Sequence, residues 1–121
     1  METDLSKRLK NFALRIIRLY SALPKRGAGY VIGFQVLRSG TSPGAQYREA
    51  RRAKSDADFI SKIEGALQEL DETQYWLELI SDARIVSAKR LAPLHQEAGE
   101  LIAILVTIVK NVKSRGKLPR R

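Results

Sequence analysis

The sequence predicts an all-α fold: an antiparallel up-down four-helix bundle with a kinked second helix and a basic, mobile C-terminal tail. Three observations carry this expectation. Four segments repeat their apolar residues at alternating steps of three and four, the period of a helix with one buried face. The breaks between segments are short and hold Gly, Pro and Ser. Nowhere do apolar and polar residues alternate over the length of a strand. At 121 residues, 44% of them apolar, the chain has the size of one domain, with the bundle expected over 1–113 and the tail over 114–121.

In the first segment, Leu5, Leu9, Phe12, Ile16, Leu19 and Leu23 form an apolar stripe, and Lys and Arg fill the other face. Thr3 or Asp4 can cap this helix, and Pro24, followed by Lys25, Arg26, Gly27 and Gly29, ends it. A second helix is expected from about Ala28, with Tyr30, Val31, Phe34 and Leu37, joined by Val36, as its buried side. The run Ser39-Gly40-Thr41-Ser42-Pro43-Gly44 is either a loop between two helices or a kink within one. The kink is favoured, because proline is accepted in a helix's first turn and AQYREARRAK after it is strongly helix-forming. Small residues there also let another backbone approach closely.

Ser55 and Asp56 cap a third helix in which Phe59, Ile63, Ala66, Leu67, Leu70, Leu77 and Ile80 keep the same rhythm to about Ala83. It is expected to be the longest helix, with Glu64, Glu69, Asp71, Glu72 and Glu78 on its outer face. The form of residues 84–93 is open: Ile85 and Val86 can extend the third helix, Lys89 to Ala92 can begin the fourth, and Pro93 suits a first turn. From Leu94 to Val112, the residues Leu94, Ala98, Leu101, Ile102, Leu105, Ile108, Val109 and Val112 give a wide stripe, and Ala103, Ile104 and Val106 make this helix apolar almost all round. A helix of that kind is buried on more than one side, and in a domain this small the second side is expected to be a subunit interface. Tyr75 and Trp76 are about 100 degrees apart on a helix, so one of them faces outward, and with Ile104 they are the candidate oligomer contacts.

The charges fall in three blocks. Residues 1–54 hold twelve Lys and Arg against three acids, residues 55–109 four against ten, and residues 110–121 six against none, for a net charge of +9. This excess points to an anionic partner. The densest block is Arg48, Arg51, Arg52 and Lys54, of which the three arginines stand at i, i+3, i+4 and emerge on one helix face, as phosphate neutralisation requires. A solvated helix face is the competing reading of the same pattern. Lys110, Lys113, Arg115 and Lys117 form the second candidate nucleic-acid-binding group. Only Tyr47 accompanies the first patch, so phosphate contacts are expected to outweigh base stacking.

Catalytic chemistry finds little support. With one histidine, His95, the two Glu-x-x-His motifs of a di-iron bundle cannot be built, and without cysteine neither a disulfide nor a thiolate metal site is available. Glu69, Asp71 and Glu72 read as surface acids rather than a proton-transfer pair. Gly27-Ala28-Gly29 completes neither a dinucleotide nor a P-loop pattern and reads as a turn. No cofactor or metal and no enzymatic activity are expected. The N-terminus lacks a signal-peptide core, and the apolar run Leu101 to Val109 is shorter than the roughly 20 residues of a bilayer span. A soluble, cytoplasmic protein without a membrane partner is the expectation.

Taken in order, Leu23-Pro24, Gln35-Val36-Leu37-Arg38-Ser39-Gly40-Thr41-Ser42, Gly44-Ala45-Gln46-Tyr47-Arg48-Glu49-Ala50, Ser55-Asp56-Ala57-Asp58-Phe59 and Glu72-Thr73-Gln74-Tyr75-Trp76-Leu77 resemble the four-helix-bundle proteins encoded in intervening sequences of large-subunit ribosomal RNA genes, the S23 ribosomal-type proteins. The resemblance spans residues 8–112. That family is similar in fold to the accessory proteins of diversity-generating retroelements, which form pentameric rings, bind nucleic acid and contact a reverse transcriptase. The resemblance therefore implies a non-catalytic homo-oligomer, expected to be a pentamer, with affinity for nucleic acid, RNA favoured over DNA. The alternative it leaves open is a protein-interaction scaffold that docks a partner enzyme such as a reverse transcriptase.

Overall fold

The computed structural model describes residues 3–116. They form four helices, α1 (Asp4–Ala22), α2 (Gly27–Ala50), α3 (Asp56–Asp82) and α4 (Ala88–Gly116). Each packs on its neighbour in sequence, and α1 meets α4 only lightly to close the bundle. Leu9, Phe12 and Ile16 from α1, Val36 from α2, Ile63, Ala66, Leu70, Leu77 and Ile80 from α3, and Leu91, Leu94, Ala98, Leu101, Leu105 and Val109 from α4 make one core. Burying each large aliphatic side chain contributes about 1.5–3 kcal/mol, so this stripe pattern is what drives the helices together.

The helix starts follow the capping chemistry. The Thr3 hydroxyl accepts the Ser6 amide at 3.0 Å, and the Ser55 hydroxyl accepts the Asp58 amide at 3.0 Å. Gly27 opens α2 at a φ of 65°, a left-handed conformation that favours glycine. α2 then runs unbroken to Ala50 with Pro43 in its interior, so the small-residue run is part of one helix and not a loop. The Thr41 and Ser42 hydroxyls bond back to the carbonyls of Leu37 and Arg38 at 2.7 and 2.6 Å in the turn before the proline.

Three expectations need correction. The buried side of α2 is not the row of Tyr30, Val31 and Phe34, which are 39%, 60% and 46% exposed. Gly29, Gly33, Val36, Ser39, Gly40, Pro43 and Ala50 are buried instead. Small residues turn inward because α1 lies too close for anything larger: a Cβ at Gly40 would stand 2.6 Å from Ile16 Cγ1, and one at Gly33 3.2 Å from Leu23 Cδ1. Second, α3 has 27 residues and α4 29, so α4 is the longer helix. Third, α4 begins at Ala88, and Pro93 therefore sits beyond its first turn.

By length and composition α4 is apolar enough to cross a bilayer. In the bundle, one of its stripes, Leu91, Leu94, Ala98, Leu101, Leu105 and Val109, is buried core. Ile102, Ile104, Val106 and Ile108 are half-buried beside that stripe.

Candidate nucleic-acid interface

α2 ends in a tight connection that is held from both sides. The amides of Arg51, Arg52 and Ala53 donate to the carbonyls of Tyr47, Glu49 and Ala50 at 3.0 to 3.1 Å, so the chain keeps a helix-like curl through Arg51. The Lys54 amide then donates to Asp58 Oδ2 at 3.4 Å, inside the first turn of α3. Arg48 stands exposed on the last turn of α2, and Arg51, Arg52 and Lys54 project, also exposed, from the connection. The four side chains thus crown one end of the bundle rather than running along a helix face.

The C-terminal part of α4 reaches the same end. Arg51, Lys54 and Arg115 border one open depression of about 630 Å³, whose floor is Ala50, Phe59, Ile108 and Val112 and whose rim also includes Ser55, Asp56 and Asn111. Cationic groups 60 or so positions apart in sequence are therefore brought to one place by packing α4 against the α2–α3 connection. Lys10 of α1 and Arg48 of α2 line a second groove of about 220 Å³, together with Ser6, Ala13, Thr41, Gly44 and Ala45. Lys10 was hidden in the sequence among the basic residues on the outside of α1, and nothing in its local pattern set it apart.

The candidate cations differ in how far internal acids already neutralise them. Arg115 Nη2 lies 3.9 Å from Asp56 Oδ1, and Lys113 Nζ 3.6 Å from Glu64 Oε2. Both pairs are solvent-exposed, worth at most about 1 kcal/mol and screened by salt, so a phosphate can displace them. Among the described residues, Arg48, Arg52, Lys54 and Lys110 have no carboxylate within ion-pair distance. Lys117 lies outside the described residues.

The acids of α3 show the opposite condition. Glu69 and Glu72 turn toward α2 and hold Arg38, Glu69 through two bonds of 3.0 Å; this hydrogen bonding, Glu69 first, raises the Arg38 pKa further. Trp76 Nε1 donates to the same Glu72 at 3.2 Å. Glu64 engages Lys113, and Glu78 lies 2.9 Å from His95 Nε2. Four of the five acids expected to face outward are thus engaged by neighbouring helices, while much of the basic surface stays open. On α4, Glu97 and Glu100 grip Arg8 of α1 with three contacts of 2.7 Å.

For the candidate oligomer contacts, Tyr75 is 54% exposed, Trp76 is half-buried with its ring 5.2 Å from that of Tyr75, and Ile104 is half-buried on α4. The larger exposed apolar surface is elsewhere: Leu14 and Ile17 on α1 with Tyr30, Val31 and Phe34 on α2. Phe34 joins its rings, 5.7 Å from Tyr20 and 4.7 Å from Tyr30. Among the described residues no group of three or more His, Asp or Glu side chains is arranged to hold a metal ion.

Comparison with known proteins gives a consistent picture. The model of the family described as 23S rRNA-intervening sequence protein matches residues 1–107. The chain is also similar to the crystal structure of a protein with unknown function from the S23 ribosomal protein family of Bacteroides thetaiotaomicron, at 39% identity over 88% of this chain and 98% of that chain, with a TM-score of 0.83. No curated protein matches it significantly.

Proposed function

We propose a function from the premise that this chain belongs to the 23S rRNA-intervening sequence protein family: it is a non-catalytic, cytoplasmic protein that binds nucleic acid, RNA in preference to DNA, as a homo-oligomer with five subunits. The observation that supports this reading most is the convergence of Arg51, Lys54 and Arg115 on one depression, at the end of the bundle where Arg48 and Arg52 also stand exposed; among the described residues Arg48, Arg52, Lys54 and Lys110 have no carboxylate within ion-pair distance. Exposed guanidinium and ammonium groups without internal counterions gain most by replacing the condensed counterions of a phosphate backbone. Such contacts fix position on the polymer and carry little sequence information, so shape and charge dominate recognition.

The test is salt-dependent binding of a structured RNA and a DNA duplex, with mass measured by light scattering in the same buffers. Substituting Arg48, Arg51, Arg52 and Lys54 by Ala should lower affinity at least tenfold and flatten the log–log salt slope by about 3. Unchanged affinity in this variant sinks the reading.

A second reading, a scaffold that docks a partner protein, draws support from the exposed apolar side chains Leu14 and Ile17 on α1 and Tyr30, Val31 and Phe34 on α2, since large exposed apolar surface marks contact sites. It leads if the oligomer binds neither nucleic acid at low salt.

A further inference from the structure

At the end of the bundle opposite Arg51 and Lys54, a crevice of about 240 Å³ opens where the C-terminal half of α1 meets the start of α4. Its charged lining is Arg15, Arg18 and Arg90, and its apolar lining includes Leu19, Val86, Leu91 and Leu94, of which Leu91 and Leu94 are core residues. Arg15 is half-buried, and Arg18 and Arg90 are exposed. Among the described residues none of the three side chains has a carboxylate within ion-pair distance. Glu78 and Asp82, acids of this end, line a separate crevice on the α3 side of α4.

The same α1–α4 seam supplies the contrast. About two turns toward the α1 N-terminus from Arg15, Arg8 has its anions built in, as Glu97 and Glu100. Arg15, Arg18 and Arg90 carry the same charge over an apolar floor without such partners, a repulsive arrangement that an external anion relieves. The crevice also receives the first turn of α4, where the Arg90 amide donates to the Ser87 hydroxyl at 3.3 Å and the positive end of the helix dipole adds to the field.

We propose that Arg15, Arg18 and Arg90 form a phosphate-binding site, separate from the Arg51–Lys54–Arg115 depression, that takes one phosphoryl group. Arginines from two helices lining one crevice suit the several charged oxygens of a phosphoryl group, which can accept paired N–H bonds from more than one guanidinium at once. The phosphoryl group comes either from a nucleic-acid backbone or from a small phosphorylated molecule.

The experiment uses the full chain, with the arginine Nε–Hε signals followed by NMR during titration with inorganic phosphate, against sodium chloride at matched ionic strength. The expected result is saturable shifts at Arg15, Arg18 and Arg90 that chloride does not reproduce, with the heat of phosphate binding seen by calorimetry lost in the Arg15→Gln/Arg18→Gln/Arg90→Gln variant. Shifts no larger than those in chloride, or spread evenly over all arginines, overturn the proposal, and this part needs no variant to fold. A short RNA duplex separates the sources. Displacement of phosphate by the duplex, with affinity roughly tenfold weaker in the triple variant, identifies the nucleic-acid backbone. Retained phosphate binding with unchanged RNA affinity identifies a small phosphorylated ligand. The Arg48, Arg51, Arg52 and Lys54 variant should keep the phosphate shifts, so failure of the RNA reading and failure of this site register separately.

Discussion

A methyl group at Gly40 would meet three atoms of Ile16 at 2.6 to 2.9 Å, and Ile16 is fully buried, with no room to withdraw. Gly40→Ala should therefore destabilise the protein by about 1–3 kcal/mol, the usual cost of overpacking, and Ile16→Val in the same chain should recover part of it; thermal melts of the single and double variants check both. Ser39 and Thr73 are a second site of this kind. They are completely buried, their hydroxyls are 2.8 Å apart, and the Thr73 hydroxyl bonds to the Glu69 carbonyl at 2.7 Å. Thr73→Val strands the Ser39 hydroxyl and should cost about 1–2 kcal/mol, whereas adding Ser39→Ala should return some of it, a coupling that denaturant unfolding of the double-mutant cycle reads directly. Gln46 Oε1 is buried and, among the described residues, without a hydrogen-bond partner, so this amide contributes less than its burial suggests.

Among the elements, the α3–α4 connection has the most specific local chemistry. The amide of Ile85 donates to the Ile80 carbonyl at 3.0 Å and that of Arg84 to the Ser81 carbonyl at 2.9 Å, the paired bonds of a Schellman cap, with Ile85 packed on the core. The left-handed position, usually glycine, is Arg84 at a φ of 60°. Arg84→Gly relieves roughly 1–2 kcal/mol of backbone strain and loses about 0.4–1 kcal/mol through the freer unfolded chain. A net gain of about 0.5–1 kcal/mol is expected, visible as a higher urea midpoint with an unchanged slope. The competing possibilities for residues 84–93 were open in the sequence because a cap with arginine in the glycine position has no signature there. The α2 misreading has a related cause: apolar periodicity follows large side chains, whereas the α1–α2 contact is built from small ones. Glycines at steps of four and seven, Gly29, Gly33 and Gly40, were the signal that could have exposed it.

For the whole molecule, folding turns the three charge blocks into a different pattern. The chain runs up and down about 40 Å of bundle. One end therefore gathers Arg48, Arg51, Arg52 and Lys54 with the C-terminal cations of α4, and the other gathers Arg15, Arg18 and Arg90. Between them the acids of α3 and α4 are largely occupied by Arg38, Lys113 and Arg8. With those acids engaged, the exposed apolar side chains of α1 and α2 are the first surface to test for self-association as well as for a docked partner protein. Val31→Ser with Phe34→Ser should leave the helical signal intact, since both side chains are exposed, and reduce the mass seen by light scattering. An unchanged mass places the subunit contact elsewhere, with Tyr75, Trp76 and Ile104 the next surface to change.

The sequence by itself determined the four helices, their order, the cap at Ser55, and the core stripes of α1, α3 and α4, because each is written in local spacing and in chemistry within one turn, whereas it left the first cap open between Thr3 and Asp4. It also singled out Arg48, Arg51, Arg52 and Lys54, since clustered charge is visible without a fold. Only the tertiary structure decided which side of α2 is buried, that Arg115 joins Arg51 and Lys54, and that Arg15, Arg18 and Arg90 share a crevice. It also decided which acids are already engaged. These outcomes depend on distances between helices, and how closely α1 approaches α2, or where α4 ends against the α2–α3 connection, follows from the packing of side chains far apart in sequence.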